Sequence, residues 1–103
     1  TMDTITISDA RQFSLKSIQR SDLVKSKDLQ IELICFEAGQ RDKELSHDKT
    51  CVYQVLEGEL LVKRDDVSKR LGKGKLLTVP VGSKHTLENA GGGLLVVMAT
   101  RAI

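Results

Sequence analysis

Side chains with useful chemistry are few in this chain. It contains two histidines, His47 and His85, and two cysteines, Cys35 and Cys51. Imidazoles and thiolates bind transition metals and take part in proton transfer. An even number of residues separates His47 from Cys51, so both point to the same face of a strand whose register is unbroken. Tyr53 shares that parity and offers a hydroxyl as a hydrogen-bonding group.

Each of these residues also has a purely structural role open to it. A histidine can be a hydrogen-bonded pocket residue, a free cysteine is usually buried packing, and a single tyrosine usually belongs to the core. The sequence has no Ser–His–Asp order, glycine-rich phosphate loop or paired-cysteine zinc spacing. Two cysteines do not form a disulfide framework, and the first residues lack the basic-then-apolar pattern that would lead us to expect export. We therefore expect reduced thiols in a cytoplasmic protein.

The elements that position these side chains are predicted to be short strands. Apolar residues alternate with polar ones or form short runs between glycines and charged residues, which is typical of strands. Residues 15–25 show only partly helical spacing and are expected to be loop or extended chain. Pro80 is expected to end a strand, and Asn89 to stabilise a turn. The predicted strand segments are Ile5 to Ile7, 29–36, 51–56, 60–62, 76–79 and 94–98, with turns at Gly58 and Asp65-Asp66 among others. Many short strands without crossover helices predict an all-β protein, an antiparallel sandwich or small barrel.

Composition limits the classes of partner. The 103 residues are 40% apolar and 29% charged, which predicts one globular domain over residues 1–103. The longest apolar run, residues 94–99, is too short to cross a membrane. The net charge of +2 requires no polyanionic partner, although residues 63–84 carry seven basic and two acidic side chains. A solvated hairpin explains this stretch better than a nucleic-acid surface, because the chain has only three aromatic residues. We expect no nucleic-acid or membrane partner.

Two segments carry a family resemblance. Residues 74–89 are GKLLTVPVGSKHTLEN, with the order glycine, proline, glycine, histidine and asparagine. This segment resembles the second conserved motif of the cupin family at every defining position. Residues 39–58 resemble the first motif, where Gly39, His47 and Gly58 match. Leu45 stands in place of the first histidine of that motif, and Cys51 stands in place of its glutamate.

The resemblance implies a single antiparallel β-barrel, a jelly-roll-like double-stranded β-helix, with His47 and His85 close together inside. Members with the full motif bind a divalent metal through three histidines and one glutamate. Carried over, the metal ligands here are His47, Cys51 and His85, a set suited to zinc, iron or copper; the alternative is no metal. The implied ligand pocket adds Tyr53. Small cupins are frequently dimers, so the resemblance also implies a homodimer, with residues 94–98 as a candidate for pairing across a two-fold axis.

Two functions follow from this interpretation. The first is a metal-dependent enzyme, of dioxygenase, isomerase or lyase type, that acts on a small molecule. The second is a non-catalytic module that binds or senses a small organic ligand without metal, which the incomplete ligand set favours. The sequence does not choose between them, because one fold hosts unrelated activities.

Overall fold

Strands account for most of the regular structure in the computed structural model, which describes residues 2–103. A short 3-10 helix spans Ile7–Ala10. The strands are β1 (Gln19–Lys25), β2 (Leu29–Phe36), β3 (Cys51–Glu57), β4 (Leu60–Arg64), β5 (Val67–Leu71), β6 (Leu76–Val79), β7 (Thr86–Asn89) and β8 (Leu95–Ala102). Among the residues described, no helix is long and apolar enough to cross a bilayer. The all-β prediction is confirmed.

The strands form two antiparallel sheets. One sheet has five strands in the order β1-β2-β8-β3-β6, and the other has three in the order β5-β4-β7. β8 therefore lies inside the larger sheet, hydrogen-bonded to β2 on one side and to β3 on the other. Because its backbone groups are already paired, the run at residues 94–98 has no free edge for a second copy, and this part of the dimer prediction is wrong. The homodimer itself stays a prediction.

Most predicted strands are confirmed, with three differences. The alternation at Ile5 and Ile7 does not form a strand, since the chain enters the 3-10 helix at Ile7. Residues 19–25, expected to be loop or extended, form β1 along β2. β5 and β7 have no predicted strand segment of their own, because their sequences, VSKRL and TLEN, lack an apolar pattern. Both pair with the apolar strand β4, so backbone hydrogen bonds to a neighbour define them. The solvated hairpin expected within residues 63–84 is nevertheless present, as β4 and β5 joined at Asp65-Asp66.

Two turns have backbone requirements that explain their residues. Gly58, between β3 and β4, has a φ of 85°, and a Cβ there would lie 2.2 Å from the carbonyl oxygen of Leu94. Only glycine fits this position. Asp65, in the two-residue turn between β4 and β5, has a φ of 53°, which aspartate tolerates better than most residues. Pro80 directly follows β6, as expected.

Asn89 stabilises the turn that follows β7, as predicted, and also contacts the end of β2, which was not predicted. Its side-chain amide donates hydrogen bonds to the carbonyl oxygens of Glu37 at 3.0 Å and Gly93 at 2.8 Å. Its side-chain oxygen accepts a hydrogen bond from the backbone N–H of Gly91 at 3.2 Å. The buried amide therefore fixes the end of β2 against the loop before β8.

The core has an inner and an outer part. The inner cluster fills the space between the sheets, and its buried members are Ile34, Phe36, Cys51, Tyr53, Val55, Leu60, Val62, Leu71, Val79, Leu87, Leu95, Val97 and Ala99. The outer cluster lies on the opposite face of the larger sheet, where Leu23, Leu33, Cys35 and Val96 pack against Ala10 and Phe13 of the N-terminal segment. Alternate residues of β2 and β8 thus face two separate cores.

Candidate functional site

The two histidines come together because the loop between β2 and β3 pairs with the segment before β7. The backbone N–H of Leu45 donates to the carbonyl oxygen of His85 at 2.7 Å, and the reverse bond measures 3.0 Å. The N–H of Gly82 donates to the carbonyl oxygen of His47 at 2.8 Å. These backbone bonds hold the two imidazole centroids 6.1 Å apart.

Tyr53 stands between the two imidazoles. Its hydroxyl oxygen lies 2.7 Å from Nε2 of His85 and 3.4 Å from Nε2 of His47. Nδ1 of His85 lies 2.8 Å from the carbonyl oxygen of Ser83, which can only accept, so Nδ1 carries the proton. In the neutral ring Nε2 is then an acceptor, and the Tyr53 hydroxyl donates to it. Tyr53 and His85 are 1% and 2% exposed, whereas His47 is half-buried.

The electrostatics favour neutral side chains at the site. Burial raises the pKa of Tyr53 far above its ordinary value, and the neighbouring Cys51 adds to this shift. Burial also raises the pKa of the Cys51 thiol. Burial lowers the pKa of His47, and the positive charge of Arg101 lowers it further. At neutral pH the site therefore presents a phenol, a thiol and an uncharged imidazole at His47.

The side chains at the site, as the structure places them, fit a preformed metal centre poorly. Across residues 2–103, no three His, Cys, Asp or Glu side chains come together as ligands. The lone pair of His85 that a metal would need already accepts the Tyr53 hydroxyl at 2.7 Å. Cys51 is 0% exposed in the inner core, and its raised pKa disfavours the thiolate that binds metals. Metal binding by His47, Cys51 and His85 stays a prediction.

A cavity opens in front of Tyr53. It has a volume of about 260 Å³, and we call it the arginine-lined cavity; its walls are Arg20, Glu32, Ile34, Lys43, Leu45, His47, Tyr53, Ala99 and Arg101. Of the four residues predicted to line the ligand pocket, His47 and Tyr53 belong to these walls, whereas Cys51 and His85 do not. Pockets for drug-sized ligands measure about 300–1,000 Å³, so this cavity suits a smaller molecule.

The charges around this cavity are unequal. Arg20 forms ion pairs with Asp42 and with Glu32, the latter at 3.4 Å. Arg101 instead donates to the neutral side-chain oxygen of Gln30 at 2.7 Å and has no carboxylate partner in the described part of the chain. Lys43 likewise forms no ion pair among residues 2–103. The cavity therefore keeps uncompensated positive charge.

The sequence analysis did not identify the basic residues of the cavity wall as site residues. For one of them, Arg101, the strand pattern nevertheless contains a signal. Leu95, Val97 and Ala99 alternate on the inner face of β8, and Arg101 continues the same parity at the end of the strand. The apolar run alone suggested an earlier end of the strand. Glu44 and Asp48, the carboxylates next to Leu45 and His47 in the chain, are both exposed.

Comparison with protein families supports one assignment. The sequence model of the family described as "Cupin domain" matches residues 32–100, which is more than half of the chain. A search of curated proteins finds no match to the sequence.

Several solved structures have the same fold. A Thermus thermophilus protein superposes with a TM-score of 0.90 at 20% identity, covering 98% of this chain and 97% of its own. An uncharacterised Klebsiella pneumoniae protein with a double-stranded β-helix domain gives 0.91 at 16%, covering 99% and 90%. An RmlC-like cupin protein from Desulfovibrio desulfuricans gives 0.86 at 24%, covering 99% and 97%. These likenesses show a double-stranded β-helix fold.

Proposed function

Because this chain belongs to the cupin domain family, whose fold hosts unrelated activities, we propose its function from the walls of the arginine-lined cavity. The protein binds a small organic carboxylate in this cavity, without metal and without turnover. The observation that carries this proposal is Arg101, a cation at the cavity wall whose only side-chain partner among the described residues is a neutral amide. A guanidinium in this position is matched to a carboxylate by charge and by shape.

The remaining walls supply the rest of a binding site. Lys43 adds a second uncompensated cation, while His47 and Tyr53 contribute hydrogen-bonding groups to the cavity wall. Ile34, Leu45 and Ala99 provide apolar surface for the carbon skeleton. A few polar groups on an apolar background are typical of small-molecule sites. Leu45 thus contributes packing surface at a position where the family motif has a metal ligand.

Binding agrees with the geometry better than metal-dependent catalysis. A metal held by His85 would have to displace the Tyr53 hydroxyl, whose hydrogen bond is short and buried. The strongly raised pKa of Tyr53 also disfavours its ionised form, which a proton-transfer step through this hydroxyl would need. The hydroxyl is therefore suited to holding a ligand and fixing His85.

The test is an NMR titration of the protein with lactate, succinate and benzoate, each beside its neutral amide. We expect the acids, and not the amides, to shift the signals of residues around the cavity. Arg101→Gln should weaken binding by about 10- to 150-fold, the loss expected for a charge-assisted hydrogen bond. Lys73→Gln, an exposed cation outside the cavity walls, is the matched control and should bind as the wild type does.

Three results would contradict the proposal. One is equal binding of acids and amides, and another is an equal loss in Arg101→Gln and Lys73→Gln. The third is conversion of a ligand to a product that stops in Arg101→Gln, which would make the protein an enzyme at this site. Metal analysis of protein purified without chelator accompanies the titration, because a bound transition metal would restore the enzyme hypothesis.

A further inference from the structure

A second cavity lies between the adjacent edges of the two sheets. It has a volume of about 130 Å³, and we call it the edge cavity; its walls are Val62, Arg64, Val67, Lys69, Leu77, Thr78, Val79, Pro80, Ser83 and His85. β5 and β6 border this cavity, and each is an edge strand of its sheet. A cavity of about 150 Å³ with apolar walls accommodates one benzene ring, so this one is near the size of a single small ring.

One buried polar group in its wall is left unsatisfied by the described residues. Ser83 is 6% exposed, and its hydroxyl oxygen forms no hydrogen bond within residues 2–103. The other buried polar residue of the cavity wall is His85. Its Nδ1 donates to the carbonyl oxygen of Ser83 and its Nε2 accepts from Tyr53, so both ring nitrogens are already hydrogen-bonded. An unpaired buried hydroxyl is costly, and a ligand with a hydroxyl of its own would satisfy it.

Two basic residues of the cavity wall lie on the inner face of the β4–β5 pair. Opposite residues of an antiparallel pair share a face, and Leu60 and Leu71, which form one such pair, belong to the inner core. The next pairs on that face are Val62 with Lys69, and Val67 with Arg64. Neither Lys69 nor Arg64 has an ion-pair partner in the described residues. The apolar cavity therefore has a positive rim.

We propose that the edge cavity is a second binding site, selective for a small hydroxylated aromatic acid. The ring fills the apolar space between β5 and β6, the hydroxyl pairs with Ser83, and the carboxylate meets Arg64 and Lys69. Each part of this ligand corresponds to one feature of the cavity: its volume, its unpaired hydroxyl and its basic rim.

The edge cavity is distinct from the arginine-lined cavity. The two sets of wall residues have no member in common. Tyr53 belongs to one set and His85 to the other, and the 2.7 Å hydrogen bond between them lies at the boundary. The second site therefore stands whether or not a carboxylate binds beside Arg101.

The experiment is a methyl NMR titration with p-hydroxybenzoate, phenol and toluene, observed at Val62, Leu77 and Val79. We expect p-hydroxybenzoate to shift these methyl signals at the lowest concentration, followed by phenol and then toluene. Ser83→Ala should weaken p-hydroxybenzoate and phenol by about two- to tenfold and leave toluene unchanged. The double variant Arg64→Gln/Lys69→Gln should weaken p-hydroxybenzoate by about tenfold or more and leave phenol unchanged.

Matched variants separate binding at this site from a general effect of surface charge and from binding at the arginine-lined cavity. Lys73→Gln/Lys75→Gln removes two exposed charges outside the cavity walls, and it should bind p-hydroxybenzoate as the wild type does. Arg101→Gln should also leave these methyl shifts unchanged. The proposal is overturned if none of the probes shifts the three methyl groups, if toluene binds as tightly as p-hydroxybenzoate, or if either control loses as much affinity as the rim variant. Because both rim residues are exposed, their substitution keeps the test usable if Ser83→Ala does not fold.

Discussion

Replacing Tyr53 by phenylalanine tests whether its hydroxyl occupies the place of a metal. The substitution keeps the buried ring and removes the 2.7 Å hydrogen bond to Nε2 of His85, which is 2% exposed. A buried acceptor left without a donor costs about 1–3 kcal/mol, so the free energy of unfolding should fall by that amount. For a domain near this size, each kcal/mol lowers Tm by about 4–8 °C.

The same variant should gain zinc binding. Without the hydroxyl, Nε2 of His85 and Nε2 of His47 both face the space where the phenol oxygen stood. Two neutral imidazoles and water form a weak zinc site, and zinc at about 100 times its Kd adds about 2.7 kcal/mol of stability. In scanning calorimetry we therefore expect zinc to restore most of the Tm lost by Tyr53→Phe, while leaving the wild type unchanged.

The double variant Tyr53→Phe/His47→Gln is the control, since it lacks the hydroxyl and one of the two ligands. It should lose stability as Tyr53→Phe does and recover none of it with zinc. An equal zinc-induced rise of Tm in wild type and Tyr53→Phe would refute the reasoning, because it would show that the hydroxyl does not compete with a metal. Metal content after dialysis gives an independent measurement of the same difference.

Three further predictions concern stability. Because the pKa of His47 is lowered in the folded protein, the unfolded chain binds a proton there more readily, and the free energy of unfolding should fall as the pH drops below about 6.5. Urea titrations at pH 7.5 and 5.5 measure this fall, which His47→Gln should reduce. Gly58→Ala should lower the free energy of unfolding by about 2–4 kcal/mol, because Gly58 has a positive φ and the added Cβ would lie 2.2 Å from a carbonyl oxygen. Gly72→Ala, which adds its Cβ in open space, is the control and should change stability by less than about 1 kcal/mol in the same denaturant unfolding experiment. Asn89→Ala should lower the free energy of unfolding by about 2–4 kcal/mol in the same assay, since it leaves the carbonyl groups of Glu37 and Gly93 without their donor. A loss below about 0.5 kcal/mol would show that the amide does not hold these segments together.

A metal-binding motif can keep its fold while its ligand positions take other roles. Leu45 and Cys51 occupy positions at which the family pattern has metal ligands, and here they supply cavity wall and core packing. His47 and His85 still converge, because backbone pairing between their segments does not depend on the ligands. The Tyr53 hydroxyl then satisfies the retained imidazole of His85. The convergence of two histidines is therefore a property of this fold and not by itself a sign of a metal.

Particular elements show how far the sequence could be interpreted. The runs that became β2, β3 and β8 bury one or both faces, so their apolar pattern was sufficient to predict them. β5 is mostly exposed, and nothing in VSKRL separates it from a loop. Its strand conformation depends on hydrogen bonds to β4, which is a contact between segments and not a local preference.

The sequence by itself determined the all-β class, the glycine at the β3–β4 turn and the family, because apolar patterning, positive-φ residues and motif spacing are local properties. Only the tertiary structure decided which groups meet. The pairing of Tyr53 with His85, the position of Arg101 at a cavity wall and the unpaired hydroxyl of Ser83 depend on side-chain directions across two sheets. Such contacts join residues far apart in the chain, so their geometry is set by strand register and packing, which the order of amino acids does not display directly.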